Sequence, residues 1–484
     1  MSPFCYTIII VVTLKKQKET HMKNNNLHNA NYYLNNLIIA LKSVLYKRTC
    51  LFFSEIILGT ILVCGTVSQW IKAVQLQKKF RKEYHHLQRL GYFDSPLQLQ
   101  YAQWVIEQTI RFLPESACFI IACDDTPIKR YGNKIQGCSW HYHQSNGNRN
   151  SDLFYGYPLV VLSLIIEHPV YGTISIPLAN RLYVSQKALD KIPENIRPEF
   201  KTKIELLIEM VEGIAESLKS YNKPIILLFD RGYVSQSVFE KMNYLGVKII
   251  TRFKSNVNLY SLPENSTEVR RGRPRKYGEK FKLTDIVNNK RCRIKQSVIP
   301  LYGREAIVEW KTCIAVSHLT DRSPIRIVVS RIIDISKDSC GHLVQHEGSW
   351  GMFISTDLNH DEQFILEQYS RRFSIEEMFK DLKEVCGLGK QQVRNFNSVK
   401  ATTDLTLMSY TLVEFWSWDK SASELTQNRG IWDDPNRRPS HKNKRQAMQF
   451  ELLWQNFSAV YARDLNPKKM RQLKNNMLEL LLTS

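Results

Sequence analysis

Residues 369–383 read Y-S-R-R-F-S-I-E-E-M-F-K-D-L-K and predict a helix with two different faces. The stretch contains no Pro or Gly and few β-branched residues, a composition that favours a helix. Its apolar side chains, with Val385 just beyond, recur at helical spacing and are expected to pack on a core: Phe373, Ile375, Met378, Phe379 and Leu382. At about 100° per residue, four polar side chains share a sector of roughly 60°: Tyr369, Arg372, Glu376 and Lys383. One stripe therefore combines a phenol, a guanidinium, a carboxylate and an ammonium group.

The spacing of that stripe, Tyr-x2-Arg-x3-Glu-x6-Lys, is specific enough to suggest a family. It resembles, position for position, the signature helix of bacterial insertion-sequence transposases of the cut-and-paste DDE type. The resemblance implies that Glu376 is the third metal-binding carboxylate, and that Tyr369, Arg372 and Lys383 hold DNA near the cut. It also predicts two upstream aspartates at the ends of strands. The alternative interpretation of the stripe is a solvated helix face with ordinary ion pairs.

Two aspartates that follow apolar, strand-length runs meet this expectation. The run Ala117–Cys123 leads into D-D-T-P at 124–127, whose proline is expected to end the hydrogen bonding of the strand. The run Ile225–Phe229 leads into D-R-G-Y, in which the glycine permits a sharp turn. The sequence therefore predicts that Asp124 and Asp230 stand at the ends of two strands.

Each acidic position has a competing interpretation. Asp124 is preferred over Asp125 because, in the families that this chain resembles, the ligand lies two residues before the threonine; Asp125 remains the alternative. Asp230, taken alone, also suits a strand-end turn or a helix cap. Glu377 competes with Glu376, but its position lies about 100° off the polar stripe. Taken together, the resemblance and the positions favour Asp124, Asp230 and Glu376 as the catalytic, metal-binding residues.

The order of the predicted elements indicates an α/β fold with an RNase H-like catalytic core. After the run that precedes Asp124, the expected elements are strands at Leu159–Ile166 and Thr173–Ala179, a helix at Glu199–Leu218, the strand before Asp230, a helix around Val238–Leu245 and a strand at Val247–Arg252. The gap between Asp230 and Glu376 is too long for one simple crossover. Transposases that resemble this chain carry a β-rich insertion at the same place, and such an insertion is expected here.

Six regions follow from these expectations. Residues 114–254 form the first part of the RNase H-like core, and residues 346–400 form its second part with the signature helix. The regions around them are an N-terminal extension that is dispensable or not native (1–21), a helical N-terminal DNA-binding region (22–113), the β-rich insertion (255–345) and a helical basic C-terminal region (401–484).

The net charge of the chain points to a polyanionic partner. Lys and Arg number 67 against 46 Asp and Glu, which gives +21 and a pI near 9.4. A charge of this sign and size suits nucleic acid ahead of an anionic membrane surface. The ten cysteines show no C-x2-C pair and no regular framework. A zinc site or disulfide scaffold is therefore not expected. The protein is instead expected to lie in a reducing bacterial cytoplasm, in association with the nucleoid.

The stretch Cys50–Ile71 is apolar with one charged residue, and it allows two interpretations. It is long enough to span a bilayer. However, it contains several small and polar residues, and no second span follows it, which favours a buried helix pair. Thr66 or Ser68 is expected to cap a helix whose continuation carries Lys78, Lys79, Arg81 and Lys82. This basic continuation is either a DNA-contacting helix or a solvated basic face.

A second basic segment, R-R-G-R-P-R-K at 270–276, opens the expected insertion. Its Gly-Arg-Pro centre is extended and cationic, so Arg271, Arg273 and Arg275 are candidates for contacts in a narrow A·T minor groove. A basic loop without that specificity is the alternative. Trp310, also in the insertion, is either a stacking platform for a base at the cleaved end or a core residue.

Three carboxylates from separate elements suit the cutting of DNA. Two Mg²⁺ ions, for which Mn²⁺ can substitute, activate water and neutralise charge on a phosphate, and hard cations prefer carboxylate oxygens. The sequence therefore predicts a Mg²⁺-dependent DNA transposase that cleaves and joins insertion-sequence ends, and that pairs two ends as a homodimer. The alternatives are another RNase H-like nuclease or resolvase, a catalytically decayed DNA-binding protein derived from a transposase, and a membrane-anchored protein.

Overall fold

The structure is a computed structural model. It describes residues 29–114, 117–143, 152–263, 277–320, 322–337, 343–426, 434, 437–461, 469–474 and 476. The basic segment at 270–276, with Arg271, Arg273 and Arg275, lies outside these ranges, as does the extension at 1–21. The predictions made for them remain predictions.

The described part combines thirteen strands with fourteen α-helices. The strands are β1 Phe119–Lys129, β2 Ser139–His143, β3 Asp152–His168, β4 Gly172–Leu182, β5 Ile225–Phe229, β6 Lys248–Phe253, β7 Leu259–Tyr260, β8 Lys280–Phe281, β9 Lys295–Leu301, β10 Arg304–Ala315, β11 Ile325–Lys337, β12 Leu343–Glu347 and β13 Gly351–Ser355. The helices are α1 Ala30–Leu41, α2 Lys47–Leu62, α3 Val67–Ala73, α4 Phe80–Leu90, α5 Asp94–Thr109, α6 Gln186–Leu189, α7 Lys203–Lys219, α8 Gln236–Leu245, α9 Leu283–Asn288, α10 Glu362–Arg371, α11 Phe373–Glu384, α12 Phe396–Trp418, α13 Ala422–Leu425 and α14 His441–Tyr461.

Five strands form the centre of one mixed sheet in the order β4-β3-β1-β5-β6. The pairs β4–β3 and β3–β1 are antiparallel, whereas β1–β5 and β5–β6 are parallel. Helix α7 connects β4 to β5, and helix α8 connects β5 to β6. This is the sequence of elements that was expected, and the mixed α/β sheet is consistent with an RNase H-like core.

The β-rich range between residues 255 and 345 extends this same sheet. Strand β13 pairs antiparallel with β6, and β11, β10 and β9 follow in order. The range in which an insertion was predicted therefore contains strands. Strands β9 to β12 join the central sheet through β13, because the free edge of β6 supplies the hydrogen-bonding groups with which β13 pairs, whereas the short strands β7 and β8 pair with each other in a second, two-stranded sheet.

The N-terminal region is helical throughout its described residues. Thr66 caps α3 in a capping box with Gln69, as one of the two expected caps. Phe53, Ile56 and Trp70 are fully buried, so α2 and α3 form the buried helix pair that was expected. Within the described ranges, no single helix is long and apolar enough to cross a membrane; α2 and α3 reach that threshold only as a pair, which bends by 103°.

The predicted signature helix is divided into α10 and α11 at Arg372, so the expectation of one continuous helix was wrong at that residue. Two backbone hydrogen bonds at Arg372 join residues that are three positions apart instead of four. The Arg372 N–H donates to the Tyr369 carbonyl at 3.2 Å, and the Ile375 N–H donates to the Arg372 carbonyl at 3.0 Å. Such i→i+3 bonds mark a tightened turn. Most of the predicted apolar face is buried, but Phe373 is 41% exposed.

Candidate active site

The pairing of β1 with β5 places Asp124 beside Asp230. Cys123 lies opposite Phe229 in this parallel pair; Asp124 is the next residue on β1, and Asp230 is the first residue after β5. Strand β5 ends at Phe229, but β1 continues to Lys129. The carboxyl end of β5 thus opens a gap in the sheet next to Asp124, which is where ligand sites form in α/β sheets.

The expectation that Pro127 ends its strand was wrong. Pro127 lies directly opposite Pro158 in the antiparallel pair of β1 with β3. Two opposed prolines lack both N–H groups, so they fit only at a pair that exchanges no backbone hydrogen bonds. The backbone nitrogen of Pro127, which carries no hydrogen, then faces the side of β1 on which β5 has already ended. No carbonyl of a neighbouring strand is therefore left without a hydrogen bond there, and β1 continues.

Asp124 and Asp125 point to opposite faces of the sheet, because side chains alternate along a strand. The Asp125 carboxylate accepts hydrogen bonds from Lys203 Nζ at 2.7 Å and from the Tyr233 hydroxyl at 3.0 Å. Asp124 instead faces α11 and contacts Arg372. The structure therefore places Asp124, and not its neighbour, on the side of Glu376.

Arg372 links two of the three predicted acids. Its Nη1 donates to Asp124 Oδ2 at 2.6 Å, and its Nη2 donates to Glu376 Oε1 at 2.9 Å. The side chain of Arg372 is only 13% exposed. Burial alone would lower the pKa of Arg372, but the charges of Asp124, Glu376 and Asp230 and the nearby Tyr369 phenol raise it. All three acids therefore act on one guanidinium group.

Burial also changes the acid strength of Asp124. It raises the pKa of this carboxyl to about 6, an effect that Arg372 offsets in part and that the negative charges of Asp125 and Glu376 reinforce. A cation that approached Asp124 would stabilise its charged form. Asp230 is half-buried, and its carboxylate makes no hydrogen bond or ion pair with any residue that the structure describes.

The donor chemistry of the three acids suits a divalent cation, because such ions prefer carboxylate oxygens. The spacing seen here does not yet form a metal site: among the described residues, no group of three or more His, Cys, Asp or Glu could hold a metal ion. The reason is visible in the contacts of Arg372, whose guanidinium lies between the Asp124 and Glu376 carboxylates. Two carboxylates held apart by a guanidinium do not converge on one metal ion.

The predicted DNA-contacting residues of the signature stripe differ in accessibility. Tyr369 is 6% exposed, packs edge-on against Phe353 at 4.9 Å between ring centres, and has its pKa raised by burial to about 12. Lys383 is half-buried, and its pKa is lowered by burial and by the nearby charge of Lys129. The charge of Lys129 thus acts on Lys383, whereas the Tyr369 ring is buried beside Arg372.

One residue near the site was missed in the sequence. Tyr302 and Gly303 form the tip of the β9–β10 hairpin with φ values of 52° and 77°. The Tyr302 ring meets the Phe373 ring edge-on, with 6.0 Å between the ring centres. Tyr302 also lines a cavity of about 430 Å³, together with Arg371 and Ser374. Burial raises the pKa of Tyr302, Arg372 and Arg252 lower it, and Glu376 raises it. Phe373, which the ring contacts, directly follows Arg372 in the chain. The two-residue turn between two β-like runs was the available signal.

Trp310 is 3% exposed and belongs to the core. Its interpretation as a stacking platform was therefore wrong, because a buried ring cannot receive a base. The sequence offered no way to tell the two faces of β10 apart before the register of the sheet was known.

Comparison with known families agrees with this geometry. Residues 198–412 match the family of transposase DDE domains. The match covers less than half of the chain; it includes Asp230 and Glu376 and begins after Asp124. It supports placing the protein among the DDE transposases, enzymes that act on DNA and generally use divalent metal ions. A search of curated proteins found no match.

Proposed function

We propose that this protein is an insertion-sequence transposase that cleaves DNA at the ends of its element and joins those ends to target DNA. Asp124, Asp230 and Glu376 are its catalytic and metal-binding residues. The observation that carries this proposal is the shared guanidinium: Arg372 bonds Asp124 and Glu376 and responds to the charge of Asp230. Asp124 on β1 and Glu376 on α11 contact this guanidinium, and Asp230 follows β5 next to the β1 pairing that ends at Cys123 and Phe229, which supports the proposal.

The cofactor of the proposed reaction is a pair of Mg²⁺ ions, with Mn²⁺ as a substitute. When bound, such ions supply an activated water and charge neutralisation at the scissile phosphate. The residues of the chain have separate roles. The three acids hold the ions, while Arg372, once released from Asp124 and Glu376, binds a phosphate of the DNA.

Lys383 on the signature helix, together with Lys129, whose charge acts on it, is proposed to bind the DNA backbone. Tyr369 is proposed to act on DNA by orienting Arg372, whose guanidinium lies 5.6 Å from the centre of its ring. Arg271, Arg273 and Arg275 remain proposed minor-groove contacts. Two DNA ends require two active sites, so we propose a homodimer in the synaptic complex, assembled at the nucleoid in the bacterial cytoplasm.

The test compares the wild type with Glu376→Ala and, as a matched control, Glu377→Ala. Glu377 is the next residue on the same helix but is exposed. The substrate is duplex DNA bearing the inverted repeats that flank the coding sequence, incubated with MgCl2. We expect Glu376→Ala to reduce release of the DNA end by at least about a hundredfold, and Glu377→Ala to retain it. Equal cleavage by all three proteins would remove the assigned role of Glu376.

The products distinguish the alternatives. End cleavage followed by joining to a target plasmid supports the transposase. Cleavage without joining would indicate an RNase H-like nuclease or resolvase. Specific binding by the wild type with no cleavage in Mg²⁺ or Mn²⁺ would indicate a DNA-binding protein whose catalysis has been lost.

A further inference from the structure

Asp125, the neighbour of the proposed metal ligand Asp124, uses both oxygens of its carboxylate within the protein. Its Oδ2 accepts a hydrogen bond from Lys203 Nζ at 2.7 Å, and its Oδ1 accepts one from the Tyr233 hydroxyl at 3.0 Å. The side chain of Asp125 is 19% exposed. Because side chains alternate along a strand, these contacts lie on the face of the sheet opposite Asp124. Asp125 is therefore engaged by protein donors and does not share the metal-binding face.

Tyr233 belongs to the same turn as Asp230. Its backbone N–H donates to the Asp230 carbonyl at 3.0 Å, which closes a 3₁₀ turn over Arg231 and Gly232. Arg231 and Gly232 are exposed, whereas Tyr233 is 4% exposed. The side chain of Asp230 makes no hydrogen bond that caps this turn. The turn is therefore attached to the core of the protein through the Tyr233 side chain.

The backbone just before Asp230 is held from the other side. Thr251 on β6 is fully buried, and its hydroxyl donates to the Phe229 carbonyl at 2.7 Å. Asp230 thus lies between two anchors. Strand β6 holds the residue before it, and β1, through Asp125, holds the side chain three positions after it. The position of Asp230 relative to β1 therefore depends on the contact between Tyr233 and Asp125.

Lys203 occupies a position that its own helix does not favour. It is the first residue of α7, directly after the N-cap Thr202, which forms a capping box with Glu205. A positive charge in the first turn of a helix is unfavourable, because the helix dipole is positive there. The contact with Asp125 offsets this cost. It also neutralises the Asp125 carboxylate through Oδ2 and leaves Oδ1 to accept from Tyr233.

We propose that Asp125 is a positioning residue: through the Tyr233 hydroxyl it fixes the turn of Asp230, and so sets the spacing at which Asp124 and Asp230 bind a divalent metal ion. The proposal rests on the proposed function, in which these two aspartates are metal ligands. A divalent ion requires its oxygen ligands in a defined arrangement, and Mg²⁺ is strict in this respect. Groups that orient the ligands from behind therefore tune the affinity for the metal.

The alternative is that the contact between Asp125 and Tyr233 only stabilises the fold. The two roles differ in the folded protein. A contact that only stabilises changes the unfolding temperature and leaves the metal affinity of the folded protein as it was. A positioning contact lowers that affinity when it is removed, and it does so by loosening one identified turn.

The first experiment compares Tyr233→Phe with the control Tyr101→Phe in the full-length, metal-free protein. Tyr101 on α5 is also buried, and its hydroxyl forms a hydrogen bond of 2.6 Å with Thr411 on α12. Each variant therefore keeps its ring and loses one buried hydroxyl contact. Hydrogen exchange followed by mass spectrometry reports local opening at residues 230–234. We expect faster exchange there in Tyr233→Phe alone. The same exchange at 230–234 in both variants would overturn the proposal.

The second experiment measures Mn²⁺ binding by electron paramagnetic resonance in the wild type, Tyr233→Phe, Asp125→Ala and the double variant. We expect each single variant to bind Mn²⁺ about tenfold more weakly. The double variant should bind no more weakly than the single ones, because both substitutions remove the same contact. The Mg²⁺ concentration for half-maximal DNA cleavage should rise by a similar factor, with a smaller change in the rate at saturating Mg²⁺.

Tyr101→Phe is the control here too and should bind Mn²⁺ as the wild type does. Additive losses in the double variant, or wild-type affinity in Tyr233→Phe, would contradict the positioning role. Should Asp125→Ala fail to fold, Tyr233→Phe decides alone, since it changes one hydroxyl group.

Glu376→Ala separates this proposal from the proposed function. If Glu376→Ala weakens Mn²⁺ binding and Tyr233→Phe does not, the metal site stands and the positioning role of Asp125 is rejected. If Tyr233→Phe loosens residues 230–234 but the wild type binds no Mn²⁺, the hold of Asp125 on the turn stands, and the metal-binding role of the acids is rejected.

Discussion

Arg372 has the central position at the scale of single residues. The sequence placed it in a stripe of polar side chains, and the structure shows its guanidinium between Asp124 and Glu376. The Nε of Arg372 is buried without a hydrogen-bond partner among the described residues. The residue is therefore held by its two carboxylate contacts and by the adjacent Tyr369 ring. It acts as an internal counterion for acids that would otherwise repel each other.

This position predicts the effect of Arg372→Gln. Without the guanidinium, Asp124 and Glu376 lose their common counterion, and we expect the free energy of unfolding to fall by about 1–3 kcal/mol in metal-free buffer. MgCl2 should restore more stability to the variant than to the wild type, because metal ions no longer compete with an arginine. Urea unfolding with and without MgCl2 measures both quantities.

Arg371→Gln is the control for this prediction. Arg371 is adjacent in sequence but contacts Glu167 at 3.6 Å, away from the acids. We expect its response to MgCl2 to equal that of the wild type. If Arg372→Gln were as stable as Arg371→Gln and gained nothing from MgCl2, the role of Arg372 as a counterion would be rejected.

At the scale of elements, a buried ionic cluster attaches the C-terminal helix α14 to the long helix α12. Glu414 accepts hydrogen bonds from His441 at 2.7 Å and from Lys444 at 2.5 Å, and all three residues are buried. Burial would raise the pKa of Glu414, but Lys444 and His441 outweigh it and lower that pKa to about 2. The helical basic C-terminal region thus turns part of its charge inward.

Removing the central charge of this cluster should be costly. Glu414→Gln leaves Lys444 and His441 buried without a counterion, so we expect the free energy of unfolding to fall by about 3–5 kcal/mol. Glu384→Gln, at the exposed end of α11, is the control and should change stability by less than about 0.5 kcal/mol. Thermal unfolding followed by circular dichroism compares the two variants; similar losses in both would show that the cluster contributes little.

The same cluster predicts how stability depends on pH. Burial would lower the pKa of His441, but its contacts with Cys386 and Glu414 raise it to about 9 from the ordinary 6.5. Because the folded pKa is the higher one, this contribution is fully present below pH 6.5 and is lost as the pH rises to about 9. We expect a decrease of at most about 1.4 kcal/mol per pH unit in that window.

Urea unfolding across this window measures the dependence, and Glu414→Gln is the comparison, because it removes one of the two groups that raise the pKa of His441 and should therefore weaken the dependence. A wild type whose stability stays constant between these pH values, or falls no faster than that of the variant, would contradict the raised pKa of His441.

At the scale of the whole molecule, one continuous sheet connects the proposed active site to the β-rich range. Strands β9 to β13 extend the sheet from β6, and the β9–β10 hairpin brings Tyr302 against Phe373 at the start of α11. The β-rich range is thus joined by sheet pairing to the strands that carry Asp124 and precede Asp230.

The sequence by itself determined the local elements and the positions of the proposed acids at their ends. Apolar runs placed β1 and β5 and the aspartates beside them, and helical spacing placed Glu376 on a polar stripe, because these patterns depend only on neighbours in the chain. The tertiary structure alone decided the rest. It set the side of the sheet on which Asp124 lies, the break at Arg372, and the contact of Arg372 with Asp124, two residues 248 positions apart. Such contacts depend on strand register and packing, which no local pattern encodes.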